Sequence, residues 1–137
     1  VLLRLAVKRM QEQYHVVNEV REARLCHHDY SDRNVLIGRL AGGPQLLAVI
    51  DFEHCCPWDK DFDLIQFYGK MHVQEPHLAE EFLTGYKSIW HDIDAFYDKL
   101  DLYYIRELLT ACAWSYQRVP DYYRKSLGDL KRLLRTS

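Results

Sequence analysis

Two stretches decide the fold: Leu25-Cys26-His27-His28-Asp29-Tyr30-Ser31-Asp32-Arg33-Asn34-Val35-Leu36-Ile37-Gly38 and Leu46-Leu47-Ala48-Val49-Ile50-Asp51-Phe52-Glu53-His54-Cys55. The first steps from a short apolar pair into a polar run over 27–34, which reads as a loop. The β-rich runs 35–38 and 46–52 flank Gly42-Gly43-Pro44, the punctuation of a β-hairpin with a loose connection. Such a hairpin returns the end of its second strand to the loop that precedes its first, so Asp51 should lie close to Asn34 and Asp29. Oxygens of these residues within roughly 4 to 8 Å would let one Mg²⁺ or its water touch both.

Outward from this segment the texture is helical. Leu2, Leu5, Ala6, Met10, Tyr14, Val17 and Val20 recur at three and four, which predicts a helix over 1–23. Beyond residue 57 the pattern predicts helices at 61–70, 77–90 (after Pro76), 96–119 (one helix or two) and 122–134, with Pro120 ending the 96–119 run. The order helix, loop, hairpin, helices gives an α+β, mainly α domain.

Composition narrows the class. The 137 residues suit one domain, which buries roughly 70% of its unfolded surface. With 48% hydrophobic and 28% charged residues, the chain is neither disordered nor fibrous. A net charge of −2 argues against a nucleic-acid partner. Apolar runs fall far short of the about 20 residues that span a bilayer, so no membrane partner is expected. The start carries no signal-peptide pattern and begins with Val, which reads as a piece of a longer chain. Cys26, Cys55, Cys56 and Cys112 form no CxxC pair, and reduced thiols in a cytoplasmic protein are expected. His27, His28, His54, Cys55 and Cys56 have spacings that match no common structural zinc site. Residues 51–103 hold twelve acids and four bases, whereas 118–137 hold six bases and two acids. Both read first as solvated helix faces, the acidic one also as a surface that attracts a cationic substrate.

Phosphoryl transfer needs a carboxylate for the attacking hydroxyl and oxygen ligands for Mg²⁺ on the phosphates. Asp29 suits the first task, Asn34 and Asp51 the second. Without Asp51, Asp29 and Asn34 would read as turn formers, and Asp59, Asp61 and Asp63 include a plausible helix N-cap.

The segments LCHHDYSDRNVLIG, LLAVIDFEHC and WDKDFDL (58–64) resemble the H-G-D-x-x-x-x-N, I-D-F-E and D-x-x-x-D-L motifs of the aminoglycoside phosphotransferase and choline kinase superfamily. Glu53, where protein kinases have Gly, resembles the small-molecule branch. The resemblance implies a protein-kinase-like C-terminal lobe over 1–137, with a hairpin beside the catalytic loop and a helical bundle, and with the N-terminal nucleotide lobe absent. It implies Asp29 as catalytic base, and Ser31 reaching the phosphate or the acceptor. It implies Asn34 and Asp51 as Mg²⁺ ligands, Glu53 at a second metal or in the outer shell, His27 packed under the metal loop, and Asp63 bracing the catalytic loop. The implied activity is an ATP-dependent transfer of the γ-phosphoryl group to a hydroxyl of a small molecule (aminoglycoside, choline-like or sugar), inactive in this fragment alone. The missing lobe or a self-associated copy would then be a partner. The alternative is a non-catalytic kinase-like binding or structural protein of the spore-coat type. Two departures stand out: His28 replaces the usual Gly, restricting the backbone, and Arg33 replaces a small residue.

Overall fold

The computed structural model describes residues 1–91, 93 and 95–135, the side chain of Glu19 excepted. Asp92 and Asp94, counted in the acidic stretch, lie outside the described residues, as do positions 136 and 137 of the lobe expected over 1–137.

Helix α1 (Leu2–Gln13) gives way to a 3₁₀ turn over Tyr14–Glu19 and then to strand β1 (Ala23–Cys26). The single helix expected over 1–23 is therefore corrected. The His-Val-Val-Asn run after Tyr14 is made of weak helix formers, and the tighter turn lets Val16 and Val17 pack against the core. β1 pairs antiparallel with β4 (Cys56–Asp59), in the register Ala23↔Asp59 to Cys26↔Cys56. This ribbon was not read from the sequence: each strand has four residues, too few for a period-2 pattern.

Strands β2 (Val35–Leu40) and β3 (Gly43–Val49) form the hairpin, antiparallel from Val35↔Val49 to Leu40↔Gly43. Its connection is two residues, tighter than the sequence suggested, and Gly43 at φ 107° takes a conformation that side chains rarely adopt. A register shift between Leu36 and Ile37 marks a bulge. β3 ends at Val49, so Asp51 stands just beyond the strand rather than within it.

Among the described residues four helices follow: α2 (Asp61–Gln74), α3 (Pro76–Lys87), α4 (Phe96–Ser115) and α5 (Pro120–Leu133). α4 packs on α1, α2 and α5, and α3 packs on α2. Phe62, Ile65, Tyr68, Leu83, Phe96 and Ile105 are fully buried at these contacts, each contributing about 1.5–3 kcal/mol. Gly69 lets α4 approach closely: a Cβ there would stand 2.6 Å from the Tyr104 ring. The molecule is α+β and mainly helical, and among the described residues no helix is long and apolar enough to cross a membrane.

Candidate active site

Loop 27–34 emerges from β1 and is held by one stripe of α2. Asp63 accepts from the backbone N–H groups of His27 (2.6 Å) and His28 (3.0 Å). One turn on, Gln66 accepts from Tyr30 N–H at 2.9 Å and donates to the His28 carbonyl at 3.3 Å. Lys70, a further turn on, pairs with Asp32, whose carboxyl it holds below the usual carboxylate range. Positions i, i+3 and i+7 share one helix face, so a single row of side chains clips the peptides on both sides of Asp29. Gln66 is itself fixed by Glu107 on α4, at 2.8 Å. Burial, with a smaller contribution from the charge of Asp29, pushes the Glu107 carboxyl up despite the bonds from Gln66 and Arg106.

Within the loop, the Asn34 side-chain amide donates to the Asp29 carbonyl (2.8 Å) and carboxylate (3.0 Å). Arg33 stands 3.7 Å from the other carboxylate oxygen. The Asn34 carbonyl accepts from Ile50 N–H at 2.9 Å, extending the hairpin by one bond and setting Asp51 beside the loop. Buried His27 ties the same two segments. Its Nε2 donates to the Ile50 carbonyl at 2.7 Å, its Nδ1 accepts from Asp29 N–H at 3.2 Å, and its ring lies 4.5 Å from that of Phe52. Asp51 is exposed and adopts the left-handed conformation (φ 68°, ψ 53°), which turns the chain sharply at the strand end.

His27, Asp29, Asn34 and Asp63 thus share one hydrogen-bonded unit, and Asp51 adjoins it through Ile50. Ser31 joins by its backbone, accepting from Asn34 N–H at 2.9 Å, while its Oγ is buried with no hydrogen-bond partner. Glu53 stands apart, largely exposed in the turn Phe52–His54, with its carboxylate 3.5 Å from His54. Among the described residues no three His, Cys, Asp or Glu side chains converge as a metal cage.

Below the site lies a buried ionic cluster. Lys99 on α4 meets Asp59 at 2.9 Å and Asp61 at 2.7 Å, and Tyr103 donates to Asp59 at 2.7 Å. Burial alone would raise the Asp59 carboxyl, but the bonds from Lys99 and Tyr103 hold it below its ordinary value. Burial would lower the Lys99 amine, and the two carboxylates outweigh it and push it up. Asp59 also accepts from Asp61 N–H at 3.1 Å at the start of α2, and Asp63 braces the loop, so each of the three aspartates has work of its own. Sequence reasoning missed Lys99, Gln66 and Glu107. The signal for Lys99 was its place on the apolar face with Phe96, Leu102 and Tyr103. A cavity of about 620 Å³ opens between Met10, Tyr14, Trp58, Leu102 and Arg106, and no residue of loop 27–34 lines it.

A model of the phosphotransferase enzyme family matches residues 5–97, about two thirds of the chain, and takes in α1, the loop, both strand pairs, α2 and α3. No curated protein and no solved structure matches. The matched stretch contains His27, Asp29, Asn34, Asp51 and Asp63 but not Lys99, Tyr103 or Glu107, and the chain belongs to this family, as the resemblance in its motifs implied.

Proposed function

We propose that this member of the phosphotransferase enzyme family moves the γ-phosphoryl group of ATP to a hydroxyl of a small molecule. The observation that carries the reading is the double engagement of Asn34: its amide nitrogen holds Asp29 while its backbone carbonyl takes the Ile50 N–H. That arrangement supports three oxygen-bearing side chains on one frame.

Asp29 acts as general base, accepting the proton of the acceptor hydroxyl as the oxygen attacks. Asn34 and Arg33 keep its carboxylate in place, and Asp63 and Gln66 fix the backbone on either side. The donor set fits Mg²⁺: hard oxygens, one exposed carboxylate, and an amide whose nitrogen end is engaged by Asp29, leaving its oxygen end for a cation. Mg²⁺ is commonly held by one or two carboxylates plus the substrate phosphates, without an all-protein cage. Asn34 and Asp51 would hold it, and the ion when bound would neutralise charge on the phosphate oxygens. Glu53, turned to His54, would have to swing round to reach its outer shell. Ser31 reaches the phosphate or the acceptor once its hydroxyl rotates outward.

The chain acts as the C-terminal lobe of a kinase-like fold, completed by a nucleotide lobe or by a second copy that covers its catalytic face. The acceptor is an aminoglycoside, a choline-like alcohol or a sugar. The acidic excess of 51–103 gives less field than its count suggests, because Asp59 and Asp61 are buried against Lys99. The reading is tested in the enzyme with its nucleotide lobe, by thermal shift with Mg·ATP and a panel of these acceptors followed by turnover. Asp29→Asn should lower kcat about 10²–10⁴-fold with little change in ATP affinity. Asp51→Ala should abolish Mg-dependent nucleotide binding. Unchanged turnover in Asp29→Asn would overturn the base role.

A further inference from the structure

The β1–β4 ribbon sets two thiols opposite each other. Cys26 and Cys56 are register partners at the end of the ladder next to loop 27–34. Directly opposed residues of an antiparallel pair point to the same face, with Cβ atoms about 4.5–5.5 Å apart and Cα atoms about 4.5–5.5 Å apart. A disulfide asks for Cα atoms about 4.4–6.8 Å apart and Cβ atoms about 3.5–4.5 Å apart. By these spacings register partners meet the backbone requirement, and closing the bond needs a small Cβ contraction and a turn of the Cys26 Sγ away from the Asp59 carbonyl it is bonded to.

Exposure divides the work between the two. Cys26 is 2% exposed and donates to the Asp59 carbonyl at 3.2 Å, whereas Cys56 is partly exposed. Burial, with the charges of Asp63, Asp59, Cys56 and Asp61 adding to it, pushes the Cys26 thiol up to about 12. Its thiolate is scarce, so it is a poor first target for a dissolved oxidant and attacks only a sulfur that the register holds beside it. The contribution of Cys56 to that shift agrees with the proximity given by the register.

We infer that Cys26 and Cys56 form a peroxide-driven oxidation site that closes to an intrachain disulfide across the β1–β4 ribbon. In the first step Cys56 reduces hydrogen peroxide: its sulfur takes one oxygen to become a sulfenic acid, and one water leaves. In the second step the Cys26 sulfur attacks the Cys56 sulfur. The S–S bond forms, the S–O bond breaks, and the departing hydroxyl takes the Cys26 proton as a second water. The two thiols are oxidised by two electrons in all and the peroxide is reduced. The bond closes a loop of about 30 residues, which holds the loop 27–34, the hairpin and Asp51. It constrains the unfolded chain. This inference does not rest on phosphoryl transfer.

The test uses the 137-residue chain, treated with hydrogen peroxide near stoichiometry, alkylated and digested for non-reducing peptide mass spectrometry. The expected product links Cys26 to Cys56, consumes two of the four thiols, and leaves Cys55 and Cys112 alkylated. Cys56→Ser should abolish the link, Cys55→Ser should keep it, and the oxidised chain should melt several degrees above the same sample in dithiothreitol. Cys56 sits near the surface, so its variant separates loss of the link from loss of the fold, which circular dichroism checks. A Cys55–Cys56 link, a link between chains, or oxidation that leaves Cys26 alkylated would overturn the inference.

Discussion

At φ 65°, His28 holds a side chain in the left-handed region where the motif it resembles has Gly, a conformation that Asn, Asp and His tolerate better than other residues. Its ring is kept there by Phe62, 4.6 Å away, and by the edge of Trp58, 5.6 Å away. Its Nε2 is buried with no hydrogen-bond partner. Burial lowers its pKa below 6.5, assisted by Arg106 and His54 and opposed by Asp63. The imidazole is therefore neutral in the fold at pH values where the unfolded chain already takes up a proton. Between about 6.5 and the lower folded value, the unfolded state binds more protons, so stability falls as pH falls. Replacing His28 by Gln removes this group from the balance. Chemical denaturation from pH 7.5 to 5 should show the wild type losing stability relative to His28→Gln on the acid side. Parallel curves would mean that His28 titrates alike in both states.

Between elements, Lys99 does for β4, α2 and α4 what the Asp63–Gln66–Lys70 stripe does for the loop. Its amine, 7% exposed, bridges two buried carboxylates. Removing one partner of a buried pair costs about 3–5 kcal/mol, because the other charge is left in low dielectric. Lys99→Met should therefore destabilise the fold by about that amount at pH 7 in urea titrations. The deficit should narrow toward pH 4, because without Lys99 burial raises the Asp59 carboxyl and its protonation removes the stranded charge, while the wild-type carboxyl, held below its ordinary value, stays ionised. A loss below about 1 kcal/mol would place Lys99 in the class of exposed pairs. The same elements show what a sequence discloses. Asp29, Asn34 and Asp51 were legible because the hairpin between them has strong punctuation, and α2 through α5 because their apolar periodicity is long. Gln66 was not, since a lone amide at i+3 from Asp63 gains meaning only when the loop lies across that face. Lys99 was hidden because a basic residue on an apolar stripe is ordinarily read as a solvated one. The β1–β4 ribbon was hidden because both strands are short and their partners are thirty or more residues apart.

Across the whole molecule, the apolar surface is placed unevenly. On the hairpin Ile37, Leu40, Leu46 and Leu47 are each more than half exposed, and Phe52 beside Asp51 is half exposed. On α1, Leu3, Leu5 and Val7 are also open. Contiguous apolar patches beyond a few hundred Å² are uncommon on monomers and mark interaction surfaces. Under the proposed function, a hairpin covered in this way beside Asn34 and Asp51 would be closed by a lobe that grips the nucleotide. No Gly-rich loop followed by a strand lysine occurs in the 137 residues, so the proposed function asks for phosphate-holding groups from outside them. Two results follow for residues 1–137 in isolation. Sedimentation equilibrium at tens of micromolar should find self-association, and the double variant Ile37→Lys, Leu46→Lys should shift the chain to monomer with its circular dichroism unchanged. Calorimetry with Mg·ATP should find weak binding, because in the proposed role Asn34 and Asp51 would engage only the metal side of the nucleotide. Micromolar affinity in the isolated chain would mean that these residues already hold the nucleotide unaided, and the account of a second, phosphate-gripping lobe would fail.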